Sequence, residues 1–215
     1  IQWEKDQTED AGLVKIDLLG NRSLAVIRDA LAAVHHNTGR LIDYELWDPI
    51  SDPVTQELIR RGDTMGCFYV ESPATRLLLK KLWTTMPQAR RAHADVFEYL
   101  VVVSSIIRPA ANVYADDFIR RSHGHPYRSW HPLLDEVLAE THGIMVYQED
   151  VMKVAVALGG FSVHDGDQLR KILSKKHKER QLRDYQRQFY EGAAARDVHR
   201  STTDKIWAMI MSFSG

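Results

Sequence analysis

Proline and glycine cut this chain into short segments whose apolar residues recur every three to four positions, and that punctuation limits it to a mainly helical fold. Within 48–66, Pro53 suits the first turn of a helix running through VTQELIRRGD, and Gly62 stands where a C-cap is expected. Ser72 and Pro73 open the next helix, ATRLLLKKLW, as N-cap and first position. Residues 94–107 read as a buried apolar helix that Arg108-Pro109 ends, because proline disfavours helical geometry in the residue before it. DDFIRRSHG reads as a short helix and HPYRSWHP as a loop. HPLLDEVLAETHG reads as a helix stopped by Gly143, and YQEDVMKVAVALGG as one stopped by Gly159-Gly160. Two long helices, HDGDQLRKILSKKH and KERQLRDYQRQFYEGAAARD, precede a last one in STTDKIWAMIMSFS.

The exception lies near the start. In GLVKIDLL, residues 12–19, Val14, Ile16 and Leu18 alternate with Lys15 and Asp17, the period of a half-buried strand. Gly20-Asn21 follows as a turn signal, and residues 22–35 carry Leu24, Ile27, Leu31 and Val34 at helical spacing. MGCFYVES, 65–72, reads as a short strand or extended piece. The expected fold is therefore mainly α with a small β element at the N-terminus. The chain begins at Ile1 and stops directly after a strong helical pattern, so the sequence reads as a piece of a longer protein.

A net charge of -1 excludes a global basic field, so any contact with nucleic acid must come from local patches. The single cysteine, Cys67, rules out a disulfide framework within the chain and fits a reducing, cytoplasmic setting. Apolar runs such as YLVVVSSII are interrupted too early to span a membrane. Cys67 has no His/Asn or His/Asp pattern beside it to mark a nucleophile, and no GxxxxGK loop is present.

Several residues carry chemistry. Asp17 on a strand is a rigid mount for a metal-ligating carboxylate, and Lys15 projects to the same side, where it can meet a phosphate; an ordinary half-exposed strand face satisfies the same pattern. Between Asp167 and Arg187 there are eight cations and three anions, a local charge of +5. Arg170, Lys171, Ser174, Lys175 and Lys178 lie in this window near one another at three- and four-residue spacing, where the cations can hold phosphates or form a solvated face. Arg108, before a proline, can grip a phosphate or make a structural salt bridge. Tyr147, Gln148 and Glu149 open a helix, where Tyr147 and Gln148 can meet a base or sugar, or Tyr147 can pack inward. His123, His125 and His131 have no acidic or cysteine partner at zinc spacing.

Four segments in order, GLVKIDLLG, RPAA within IIRPAAN, HGIMVYQEDVM and QLRKILSKKH, resemble the bacterial DNA polymerase III alpha subunit family, with TMGCFYVES and EGAAARDV also similar. The family patterns are roughly GLVKFDFLG, RPGP, YGVIVYQEQVM, LLRRAMGKKK and TTGVFQLES. The resemblance implies residues 1–22 as the C-terminal strand of the palm and 23–215 as most of the fingers domain, truncated at its C-terminal end. It implies that Asp17 is one of three catalytic carboxylates holding two Mg2+ ions, the other two lying upstream of this chain, and that Lys15 faces the primer end or incoming nucleotide. Arg170, Lys171, Lys175 and Lys176 would bind the triphosphate, and Arg108, Tyr147 and Gln148 would line the nucleotide pocket. The implied function is template-directed addition of deoxynucleotides to a primer 3' end, with primer-template DNA and deoxynucleoside triphosphates as substrates and a sliding clamp as a partner through regions this chain lacks. Pro73, Ala110 and Lys171 depart from the family's arginine, glycine and arginine, which implies a divergent or auxiliary type. A non-catalytic DNA-binding module, or a purely structural helical domain, are the alternatives.

Overall fold

The computed structural model of the chain describes residues 2–14, 16, 20, 22–107, 111–173 and 179–213. The chain divides into two compact units, residues 1–49 and 50–215. The first holds α1 (Lys5–Asp10) and α2 (Arg22–Thr38). None of the α2 side chains is buried; its apolar stripe of Leu24, Ile27 and Leu31 lines, with Tyr44, a cavity of about 390 Å³.

The expected N-terminal β element, and with it the last palm strand, is not there: no strand occurs among the described residues. Residues 11–12 form a turn, the Leu13 N–H bonds back to the Thr8 carbonyl at 3.1 Å, and Val14 and Ile16, from the face expected to be buried, are 84% and 76% exposed. Alternation determines only which side chains share a face. A strand also needs a neighbour to complete its hydrogen-bond ladder, and no described segment supplies one.

The second unit contains α3 (Pro53–Arg61), α4 (Pro73–Thr84), α5 (Gln88–Arg91), α6 (Val96–Ile106), α7 (Ala115–Ser122), α8 (Gln148–Gly159), α9 (Val163–Leu173), α10 (Glu179–Ala194) and α11 (Arg200–Ser212). Caps set the ends. The Asp52 carboxylate accepts from the Thr55 N–H at 2.7 Å with Pro53 in the first turn, and Gly62 closes α3 in the left-handed conformation, φ 68°. Ser72 accepts from the Thr75 N–H at 3.2 Å, again followed by proline. Asp95 caps α6 through the N–H groups of Phe97 and Glu98 at 2.7 and 3.1 Å.

Helical spacing then builds two cores. Leu79, Leu82 and Trp83 of α4 meet Val103 and Ile106 of α6 and Phe118 of α7 in the first. Val151, Val154, Ala155 and Leu158 of α8 meet Leu169 of α9, Phe189 of α10, and Ile206 and Ile210 of α11 in the second. Each large aliphatic or aromatic side chain so removed from water contributes about 1.5–3 kcal/mol. Tyr114 packs against both cores.

Two further stretches differ from expectation. MGCFYVES is neither strand nor extended: it folds into turns with Tyr69 at φ 71°, closed by the buried Thr64 hydroxyl donating to the Val70 carbonyl at 2.6 Å. The stretch 131–143 is not one helix. Pro132–Leu134 is a 3-10 turn, and tight bonds continue from Asp135 N–H to the Pro132 carbonyl (3.1 Å) and from His142 N–H to the Ala139 carbonyl (3.1 Å). The buried Thr141 hydroxyl serves the Leu138 and Ile144 carbonyls, while Leu134 and Leu138 still reach the second core. The apolar pattern is thus satisfied without a regular helix.

His142, left-handed at φ 53°, stacks near Phe118 and Tyr99, with ring centroids 5.6 and 6.4 Å away. Burial first, then the charges of Arg90 and Arg121, push its imidazole below the ordinary 6.5. The folded chain therefore binds a proton here less readily than the unfolded chain. The neutral form's stabilisation is complete above 6.5 and is lost as pH falls through the folded value. Asparagine tolerates left-handed backbone but does not titrate. Urea midpoints of the wild type are expected to fall more steeply between about pH 7.5 and about pH 5 than those of His142→Asn. Parallel curves for the two proteins would contradict this assignment.

Candidate nucleotide-binding site

The turn at 160–162 folds α9 back on α8 as an antiparallel pair. Close approach rests on Gly166, where a Cβ would meet the Met152 side chain at 3.0 Å and its carbonyl at 3.2 Å. One turn further along α9, this register carries Arg170 and Lys171 toward the end at which Gln148 opens α8.

Asp167 orients the two cations. Its Oδ1 accepts from Arg170 Nε at 3.0 Å and from a terminal guanidinium nitrogen at 2.7 Å, and its Oδ2 pairs with Lys171 Nζ at 2.8 Å. The hydrogen bond from Lys171, followed by that from Arg170, holds the Asp167 carboxyl below its usual 3.8. Partly exposed pairs of this kind add little to stability; what they supply is orientation. A phosphate chain brings more acceptor oxygens and more charge than one carboxylate, so it can compete for the same donors. Sequence reading counted Asp167 only as an anion of the basic window. Its position three and four residues before the cations was the signal for the clamp.

At the start of α8, Asp150 is buried and its Oδ2 accepts from the backbone N–H groups of Val146 and Tyr147 at 2.9 and 2.8 Å. Burial raises its carboxyl, while those donors and Lys153 at 3.7 Å act in the opposite direction. The carboxylate thereby fixes where Tyr147 and Gln148 stand. Tyr147 packs against the first core, its hydroxyl is buried with no hydrogen-bond partner among the described residues, and burial, then the charges of Glu140, Asp150 and Glu98, push it up to about 12. It is a neutral donor over the whole physiological range. Gln148 and Glu149 are exposed.

The structure thus places Arg170 with Lys171 on one clamp, and Tyr147 with Gln148 at the start of the paired helix. Lys15, Asp17, Arg108, Lys175 and Lys176 lie outside the described residues. Among the described residues no three His, Cys, Asp or Glu side chains gather to hold a metal ion. His123 uses Nε2 against the Leu82 carbonyl at 2.8 Å, and His131 caps the 3-10 turn through Nδ1. Cys67 is exposed.

The model of the bacterial DNA polymerase III alpha subunit finger domain matches residues 23–197. The chain belongs to that family. DNA polymerase III subunit alpha of Neisseria meningitidis serogroup B (strain ATCC BAA-335 / MC58) is 36% identical over 213 residues, covering 99% of this chain and 18% of that relative. The subunit of the same name from Staphylococcus aureus (strain COL) is 35% identical over 215 residues, covering 99% of this chain and 19% of the relative. The chain therefore spans about a fifth of the length of these alpha subunits. Within this finger domain the paired α8 and α9, with Asp167, Arg170 and Lys171, fall inside the matched span, whereas Lys15 and Asp17 precede it. No helix among the described residues is long and apolar enough to cross a membrane.

Proposed function

We propose that this chain is the nucleotide-handling part of a template-directed DNA polymerase that extends a primer 3' end with deoxynucleotides. What carries the reading is the clamp at Asp167, which presents Arg170 and Lys171 side by side at the end of the helix pair that also bears Tyr147 and Gln148. Two aligned cations offset part of a triphosphate's charge and stabilise the charge that builds on the leaving pyrophosphate. Arg170 supplies a planar fork. Lys171, where the family carries arginine, supplies a point charge and gives up bidentate geometry, which favours a divergent member of the family. Lys175, Lys176 and Arg108 are assigned to the same phosphates, and Tyr147 and Gln148 to the base or sugar.

Asp17 is assigned as a catalytic carboxylate, with Lys15 beside it toward the primer end. One carboxylate is not enough to hold two Mg2+ ions, and the described residues contain no cluster that does. The ions would be completed by carboxylates from other parts of the parent protein, where they would stabilise the attacking and leaving oxygens. The 215-residue chain alone is accordingly inactive in this reading, and the sliding clamp binds elsewhere in the parent.

Steady-state primer extension by the parent protein tests the clamp. Lys171→Ala is expected to raise the KM for the incoming nucleotide about tenfold, with primer-template affinity unchanged within about twofold. An unchanged KM would remove Lys171 from the site. Retained DNA binding with no extension by the wild type would favour a non-catalytic DNA-binding module instead.

A further inference from the structure

A second basic region lies in the loop 123–131 and the helix α11 beside it. The Arg121 guanidinium lies over the Tyr127 ring at 4.5 Å from its centroid, and Lys205 Nζ lies over Trp130 at 5.6 Å. Both rings are held in place. Tyr127 rests against the backbone of Gly143, where a Cβ would come within 2.9 Å of the ring, and Trp130 packs on the second core. Arg128 lies between the two rings in sequence and is exposed. Among the described residues, Arg121, Arg128 and Lys205 form no ion pair, unlike Arg170, Arg187 and Arg200.

Tyr127, Arg128 and Trp130 line an open cavity of about 620 Å³ that also reaches His131 and His199. Each histidine spends Nδ1 as an acceptor, from the Leu133 and Ser201 N–H groups at 3.3 Å, so in the neutral ring Nε2 carries the hydrogen and donates. Asp135 and Asp197 share the lining. Carboxylates repel phosphate but accept hydrogen bonds from the amino and imino groups of a nucleobase. Cations on aromatic planes, with both donors and carboxylate acceptors in the cavity, suit a ligand that presents unpaired bases along a phosphate chain. A duplex hides those base edges and offers the carboxylates only phosphate.

We propose that this loop and α11 form a track for single-stranded DNA, with phosphates meeting Arg128 and Lys205 and bases entering the cavity beside Tyr127 and Trp130. The choice of DNA as the strand rests on the polymerase reading above; the track itself uses none of the residues assigned to the nucleotide.

Fluorescence anisotropy of a labelled oligothymidine of about 12 nucleotides, with a duplex of equal length as comparison, tests it on the 215-residue chain. The single strand is expected to bind more tightly than the duplex. Joint Arg128→Ala and Lys205→Ala substitution, on exposed side chains, is expected to weaken single-strand binding at least about tenfold and to flatten its salt slope by about 1.4. Lys80→Ala, which removes an exposed cation from α4, is expected to leave binding within about twofold of the wild type. Unchanged binding by the double variant, an equal loss in Lys80→Ala, or duplex binding as tight as single-strand binding would each overturn the track. Extension by the parent scores the polymerase reading separately. A parent that extends primers while this chain shows no single-strand preference overturns the track alone. A parent that does not extend, beside a chain that binds single strands through Arg128 and Lys205, leaves the track standing without the polymerase.

Discussion

Gly192→Ala is expected to destabilise the second unit by about 3 kcal/mol and to lower its melting temperature by about 6–12 °C. Gly192 lies in α10 where that helix crosses the end of α8, and a Cβ there would fall inside the contact radius of the Gly159 carbonyl oxygen. The opposing atom is backbone, so no side chain can rotate away. Gly159 in turn faces the Phe189 ring, and α8 closes immediately afterwards at Gly160, left-handed at φ 68°. Relief requires the two helices to separate, which uncovers Phe189, Ala193 and Leu158, all at 0% exposure. Because α8 begins at Gln148 and pairs with α9, which bears Arg170 and Lys171, the loss would reach the proposed site. Gln188→Ala, an exposed change on the same helix, is expected to stay within about 0.5 kcal/mol of the wild type. Thermal melts of the three proteins decide it, and a Gly192→Ala melt that overlays the wild type would show that α8 and α10 do not meet through bare backbone.

Much of the helical layout was legible because the residues that end helices act locally. Asp52 with Pro53, Ser72 with Pro73, and Gly62 each satisfy or terminate backbone groups within a few residues of themselves. That no strand forms among the described N-terminal residues was not legible, for the opposite reason. A strand depends on a partner that may be distant in sequence, and the alternation of Val14 and Ile16 carries no information about whether one exists. The stretch 131–143 shows a middle case. Leu134 and Leu138 are spaced as in a helix and are buried as expected, yet the Thr141 hydroxyl and the left-handed His142 and Gly143 divert the backbone into turns.

The site divides similarly. The cations of α9 were visible as a charge run, but the run cannot say which of them is oriented. Asp167, at the right helical offset, makes Arg170 and Lys171 a pair. The buried Asp150 that positions Tyr147 reads in sequence as an ordinary first-turn acid. In sequence, Arg128 and Trp130 are simply members of the loop HPYRSWHP. Their relation to Lys205 and His199 spans some seventy residues and requires the fold.

The central proposal is that this chain serves nucleotidyl transfer, and the largest functional effect is expected from substitution of Asp17. Amide in place of carboxylate keeps the size of the side chain while removing the charge that a divalent ion requires. Primer extension by the full-length parent with magnesium, wild type against Asp17→Asn, is the most direct measurement. The account predicts extension by the wild type and a loss of about three orders of magnitude in the variant, with primer-template binding retained, since several kcal/mol of transition-state stabilisation depends on the ions. Equal extension by the two proteins would contradict it.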